Sequence, residues 1–200
     1  MDVLKAIKNL EARGIKAKFF ETKEEASDYI VSTVENTTVG IGGSMSAKEL
    51  ELYPRLSEKN QVFWHWECPQ DGKNEIMRAM NAKVYISGVN AIAETGEIVN
   101  IDGAGNRVAS CLYAKDKVIF LAGINKLEKD LNTAIYRARN VSAPKNAARL
   151  NKKTPCAIKG DKCYDCHSPE RICNAMVITM GKLSGVKEIE VVFVNQELGF

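Results

Sequence analysis

The sequence has no apolar run that approaches the ~20 residues needed to cross a membrane. It also has no basic block, because its 28 lysines and arginines are interspersed with 25 aspartates and glutamates to give a net charge of +3. These absences argue against a membrane protein and against a nucleic-acid partner. No export signal is visible in the first residues, so we expect the protein to be cytoplasmic.

Internal repeats, low-complexity tracts and long linkers are absent as well. Hydrophobic residues make up 45% of the chain and charged residues 26%, which is usual for a globular protein. A chain of 200 residues can bury one sizeable core but is too short for two ordinary domains. We therefore expect a single domain spanning residues 1–200.

Short apolar segments alternate with amphipathic ones along most of the chain. Strands are predicted at residues 15–20, 37–41, 61–66, 83–87, 97–101, 117–121 and 189–194. Helices are predicted up to Arg13, at 74–80 and 127–139, and after two capping boxes, Thr22 with Glu25 and Ser46 with Glu49. This alternation predicts an α/β fold, a mostly parallel twisted sheet with helices on both faces and a ligand site at the carboxyl ends of its strands.

The glycine-rich turn GIGGSMS follows the second predicted strand. Glycines without Cβ atoms let backbone amides approach an anion, and the next helix adds unpaired N–H groups and hydroxyl donors. The candidate ligand-binding residues here are Gly40, Gly42, Gly43, Ser44 and Ser46. The alternative is a tight turn without a ligand, because the motif is neither a dinucleotide fingerprint nor a phosphate-binding loop with its lysine.

A second polar cluster, ETGEIVNIDGAGNR, surrounds the predicted strand at 97–101. Glu94 is the candidate general base or nucleophile, and Asp102 and Asn106 are candidate ligand-binding residues. The fork of Arg107 could hold a substrate carboxylate or phosphate through two hydrogen bonds. The alternative is a hairpin whose glycines form turns and whose charges are solvated.

Four cysteines lie close together in an irregular segment at residues 151–174. They are separated by six, two and six residues, at Cys156, Cys163, Cys166 and Cys173. Four thiolates suit a tetrahedral zinc ion and equally a [4Fe–4S] iron–sulfur cluster, and the spacing does not choose between them. A reducing compartment argues against disulfides. Ser168 followed by Pro169 predicts a short helix that carries Cys173.

Four segments occur here in an order that resembles the lactate-utilisation (LUD) domain family over nearly the whole chain: GIGGSMS, AIAETGEIVNIDGAGNR, AGINK and TPC…CYDCHSPERICN. The cysteine segment resembles a subgroup of that family. The resemblance implies a fold similar to the ribose-phosphate isomerase, glucosamine-phosphate deaminase and CoA-transferase superfamily. In CoA-transferases a glycine-rich oxyanion loop and a glutamate look similar to residues 42–44 and Glu94. Thr95 replaces their asparagine, which puts thioester chemistry in doubt.

Three functions follow as expectations. The resemblance implies a redox accessory protein of L-lactate to pyruvate metabolism, with iron–sulfur redox subunits as partners. The two polar clusters favour an enzyme acting on a small carboxylate, phosphate or acyl-CoA-type substrate. The third option is a metabolite-sensing module with a structural zinc site. All three functions involve a small anionic metabolite as ligand. A homodimer is also possible, because exposed sheet edges are commonly paired.

Overall fold

The computed structural model describes residues 1–200. The helices are α1 (Val3–Ala12), α2 (Lys23–Thr33), α3 (Met45–Glu49), α4 (Leu52–Ser57), α5 (Gly72–Asn81), α6 (Asn106–Ser110), α7 (Leu131–Arg137), α8 (Ala143–Arg149) and α9 (Pro155–Lys159). The strands are β1 (Lys16–Phe20), β2 (Thr38–Ile41), β3 (Gln61–Phe63), β4 (Val84–Gly88), β5 (Ala91–Ala93), β6 (Ile98–Asp102), β7 (Lys115–Gly123), β8 (Leu127–Glu128), β9 (Ala175–Thr179) and β10 (Val186–Val194). A π-helical turn, Ala138–Ser142, joins α7 to α8.

The main sheet has six strands in the order β1-β10-β7-β4-β2-β3, and every neighbouring pair is parallel. Its central strand β7 alternates between two hydrophobic cores, with Val118 and Phe120 in one and Ile119 and Leu121 in the other. Helices α1 and α5 contribute to the first core, and α2, α3 and α4 to the second. The predicted α/β fold with helices on both faces of a parallel sheet is confirmed.

A second, smaller sheet has the order β8-β5-β6-β9. Strand β6 pairs antiparallel with both of its neighbours, so the strand predicted at 97–101 does not belong to the parallel sheet. The reason is the turn between β5 and β6, where Gly96 adopts a φ of 98° and its amide donates to the Ala93 carbonyl. Such a tight turn returns the chain beside itself and makes a hairpin.

The predicted helix starts are correct in one place and shifted in two. Thr22 and Glu25 form the expected capping box. After the glycine turn the capping residue is Ser44, whose hydroxyl accepts from the Ala47 amide, and not Ser46. The helix predicted at 127–139 begins only at Leu131, because Leu127–Glu128 is extended and pairs with β5.

The cysteine segment is irregular between α9 and β9, as expected. The predicted helix at Ser168 is wrong, since the Ser168 hydroxyl accepts from the Glu170 amide in a turn that does not continue as a helix. Cys173 therefore lies in the loop that leads into β9, and Cys156 is the cysteine that lies on a helix. None of the helices is long and apolar enough to span a membrane.

Candidate functional site

The main cavity lies where the carboxyl ends of β2, β4 and β6 meet, and it has a volume of about 470 Å³. Its walls are the glycine turn, the loops that follow β4 and β6, Lys126 after β7, and parts of α8 and the cysteine segment. The parallel strands β2 and β4 end together and leave such a crevice between their loops, which the loop after β6 of the smaller sheet also lines. The volume is typical of small-molecule sites. The sequence predicted the location of this cavity.

Cationic side chains outnumber acidic ones in the wall of the cavity. Five basic residues line it: Arg107, Lys126, Arg149, Lys152 and Arg171. The acidic residues that line it are Asp102 and Glu170, and both carboxylates accept hydrogen bonds from backbone amides of the protein. The excess of positive charge in a concave site favours an anionic ligand.

The glycine turn contributes only part of what its sequence predicts. Gly43, Ser44 and Ser46 line the cavity. The amide of Gly42 donates to the Ile86 carbonyl at 2.9 Å, so it is not free to bind an anion. A side chain at Gly42 would place its Cβ 3.0 Å from Arg107 Cγ, and the glycine thus makes room for that arginine.

Gly40 lies within β2, away from the cavity. A Cβ atom at this position would lie 2.2 Å from the carbonyl oxygen of Ala79 in α5. The absence of a side chain therefore permits close packing of helix on sheet, and the structure gives Gly40 a packing role instead of contact with a ligand.

Asp102 and Asn106 both line the cavity, at the loop that follows β6. The Asp102 carboxylate accepts from the amides of Ala104, Gly105 and Val108, at 3.1, 2.9 and 3.3 Å. These bonds fix the loop and cap the start of α6. The carboxylate of Asp102 thus organises the backbone.

Arg107 lies at the base of the cavity, but its donors are already engaged. Nη1 donates to the Gly88 carbonyl at 3.0 Å and to Asn100 Oδ1 at 2.7 Å. Nη2 donates to the Ile101 carbonyl at 2.5 Å, and Nε lies 3.6 Å from the Asp102 carboxylate. Arg107 therefore connects the end of β4 to β6, and few of its N–H groups are free to bind a substrate.

Glu94, the predicted catalytic residue, does not line the cavity. Its carboxylate faces the start of α1, where it accepts from the Asp2 amide at 2.7 Å and from Lys5 Nζ at 3.2 Å. The hydrogen bond from the Asp2 amide is the main reason that the pKa of Glu94 is lowered. The structure therefore does not bring Glu94 together with Gly42 and Gly43, and the hairpin turn that follows β5 explains its direction.

Lys126 is the functional candidate that reasoning from the sequence missed. Its side chain is buried, with 3% of the residue exposed, and its Nζ donates to Ser46 Oγ at 2.9 Å. Burial lowers the pKa of Lys126 to about 7, and the charge of Arg137 acts in the same direction. A lysine three residues after a long, mostly apolar strand is the signal in the sequence that could have indicated it.

Aromatic residues form the outer wall of the cavity. His65 and Trp66 line it, and the Arg149 guanidinium lies 5.1 Å from the centre of the Trp66 ring. Burial lowers the pKa of His65, which keeps the imidazole neutral near pH 7. These groups offer a flat surface and one cation at the mouth of the cavity.

All four cysteines of the predicted metal site are free thiols. Cys163 and Cys173 line a separate cavity of about 250 Å³, together with Arg139, Asp165 and Arg171. No group of three or more histidine, cysteine or acidic side chains is placed so that it could hold a metal ion. The zinc or iron–sulfur site predicted from the spacing of the four cysteines stays a prediction.

Arg171 connects the cysteine segment to the main cavity. Its Nε donates to the Cys173 carbonyl at 3.1 Å and its Nη1 to the Cys166 carbonyl at 2.8 Å. The same side chain lines the main cavity and the cavity beside the thiols. The conformation of the cysteine loop thus determines where one cation of the main cavity lies.

The parallel sheet and the crevice lined by basic residues define an α/β protein with a cavity at its strand ends. The model of the LUD domain family matches residues 3–194, and the chain belongs to that family. The family is associated with lactate utilisation. The resemblance seen in the sequence is confirmed.

A solved structure supports the fold. The crystal structure of a DUF162 family protein from Deinococcus radiodurans matches with a TM-score of 0.54 and 14% sequence identity. The match covers 98% of this chain and 99% of that chain. At this identity the likeness shows the fold alone. A comparison with curated proteins found no match.

Proposed function

We propose that the main cavity binds a small carboxylate of 2-hydroxy-acid metabolism, of the class of L-lactate and pyruvate. The observation that carries this proposal is the excess of cationic side chains in the cavity, where both acidic residues already accept hydrogen bonds from the backbone. The association of the family with lactate utilisation supports the same class of ligand. The volume of about 470 Å³ also admits larger carboxylates.

Arg149 is an exposed cation in the lining of the cavity that could meet a carboxylate. Its guanidinium stacks on Trp66, and its polar partner is the neutral Asn146 side chain, to which Nε and Nη2 donate at 3.0 and 2.8 Å. No acidic side chain neutralises it in these contacts. A bound carboxylate would supply the missing negative charge and form a charge-assisted hydrogen bond.

Titration calorimetry with L-lactate and pyruvate tests the proposal, with lactamide as the uncharged analogue. We expect Arg149→Met to weaken binding about tenfold, because a hydrogen bond to a charged group contributes about 1.5 kcal/mol. Lys145→Met is the matched control, since Lys145 is exposed on the same helix and does not line the cavity. Equal affinity for lactate and lactamide, or no binding of either acid, would contradict the proposal.

A redox accessory role is a second candidate, favoured by the contact between the cysteine segment and the cavity wall through Arg171. The cysteine spacing predicts iron with labile sulfide, or zinc, in protein purified without oxygen. Metal and sulfide analysis with visible absorption checks this. Zinc without iron would remove the electron-transfer role, and protein without either metal would remove the metal site itself.

A further inference from the structure

Lys126 is a buried amine held at the inner wall of the main cavity. It ends the short 3-10 turn Ile124–Lys126 that follows β7, so its backbone is fixed by the central strand of the sheet. Its Nζ contacts Ser46, which is 80 residues away in sequence. The two residues come from different strand ends and meet only in the cavity.

The charges that face Lys126 favour a neutral amine. Arg137 and Arg107 lie near enough to repel its proton, and Glu49 is the nearby acid that opposes them. Burial acts in the same direction as the two arginines and is the largest effect. A desolvated lysine beside other cations is the usual way in which a protein makes an amine nucleophilic near neutral pH.

We propose that Lys126 forms a Schiff base with the carbonyl group of a 2-oxo acid bound in the cavity. This inference rests on the proposed carboxylate site, and it adds a substrate class and a covalent step to it. Lys126 Nζ meets the carbonyl carbon next to the carboxylate, and the other basic side chains that line the cavity balance the charge of that carboxylate.

The step is balanced without an oxidant or a reductant. The lone pair of Nζ forms a C–N bond to the carbonyl carbon, and the carbonyl oxygen becomes a hydroxyl after proton transfer from the nitrogen. Loss of that hydroxyl with a second proton of the amine releases water and leaves a C=N bond. Ser46 is a positioning residue here, because its hydroxyl contacts Nζ at 2.9 Å and directs it.

Two other lysines show why Lys126 is singled out. Lys115 is also buried, but its Nζ donates to the Met80 carbonyl and lies at the opposite end of β7. Lys117 pairs with Glu188 and Glu190, which raise its pKa. Neither residue lines the main cavity.

Borohydride reduction tests the inference on the full chain. Pyruvate is added with sodium borohydride, and intact mass and peptide mapping locate the reduced adduct. We expect one adduct per chain on Lys126, and its loss in Lys126→Arg, which keeps the positive charge and is checked for folding by circular dichroism. Lys145→Met is the matched control and keeps the adduct.

The possible outcomes separate the inference from the proposed function. An adduct that persists in Lys126→Arg, or that is spread over surface lysines, overturns the inference. Binding of L-lactate and pyruvate by calorimetry without any reduced adduct also overturns it, while the carboxylate site stands. If the wild-type protein binds neither acid and forms no adduct, both the inference and the proposed carboxylate site are overturned. A single adduct at Lys126 that Ser46→Ala slows supports the covalent step and the positioning role.

Discussion

At the scale of single residues, Lys126 stands out because it is a buried lysine, whereas lysine side chains are usually exposed or paired with an acid. A lysine whose folded pKa lies below its unfolded value binds fewer protons when folded, so its burial opposes folding most strongly below about pH 7. The opposition declines as the pH rises towards the unfolded value of 10.5. Sites that keep a buried charged group despite its cost in folding free energy are often functional.

Replacing Lys126 with methionine should therefore stabilise the protein. We expect a gain on the order of 3 kcal/mol at pH 6, because the uncompensated burial of the ammonium outweighs the loss of its hydrogen bond to Ser46. The gain should shrink by about 2 kcal/mol at pH 9, where the folded lysine is already neutral. Urea unfolding at both pH values measures it, and a gain that does not change with pH would contradict the assigned cause.

Glu94 illustrates the opposite case, a reactive-looking residue that stabilises the fold. Glu94→Gln should lower the midpoint of thermal unfolding at neutral pH, since the charged acceptor for Asp2 and Lys5 is lost. Its pKa is lowered in the folded state, so this contribution is present above the unfolded pKa and is lost as the pH falls through the folded pKa. The thermal midpoints of the variant and the wild type should converge in acid.

Lactate binding by the Glu94→Gln variant distinguishes a structural role from a catalytic or ligand-binding one. We expect unchanged affinity in calorimetry, because the carboxylate faces α1 and not the cavity. A clear loss of affinity with an unchanged unfolding midpoint would restore the predicted catalytic role.

At the scale of elements, the packing of α5 on β2 depends on Gly40. Gly40→Ala should destabilise the protein by about 3 kcal/mol, because the new Cβ would lie 2.2 Å from the carbonyl oxygen of Ala79, a backbone atom that cannot move aside as a flexible side chain can. Gly72→Ala is the matched control, since no atom lies within 4 Å of its added Cβ at the start of the same helix. That substitution should be neutral or stabilising by up to about 1 kcal/mol. Urea unfolding measures the free energy of unfolding of both variants, and an equal effect of the two substitutions would contradict the packing role of Gly40.

The elements also show where local sequence signals are reliable. The capping box at Thr22 is local chemistry and forms as predicted. The apolar pattern of residues 127–139 predicts one helix, yet Leu127 is extended and pairs with Ile92 of β5. Pairing with a distant strand outweighed helical propensity, and no local signal reports such a partner.

At the scale of the whole molecule, Arg107 joins the two sheets. Its guanidinium donates to Gly88 at the end of β4 in the main sheet and to Asn100 and Ile101 of β6 in the smaller sheet. Because these acceptors are buried or half-buried, removal of the donor leaves several of them without a partner. The arginine thus holds the two halves of the cavity together.

Arg107→Met should destabilise the protein by about 3 to 5 kcal/mol, since it breaks a buried network. Arg149→Met, which removes a cation from the same cavity, should change stability by less than about 1 kcal/mol. Chemical unfolding of both variants compares the two effects. If Arg107→Met lost only ligand affinity and kept full stability, the substrate clamp predicted from the sequence would be the better assignment.

The sequence by itself determined the α/β fold, most of its strands and the position of the crevice at the strand ends. These features follow from local periodicity and from the rule that parallel strands end at a common edge. Only the tertiary structure decided which side chains face that crevice. It placed Lys126 inside and Glu94 outside, because the direction of each side chain depends on a strand partner or hairpin turn far away in the chain.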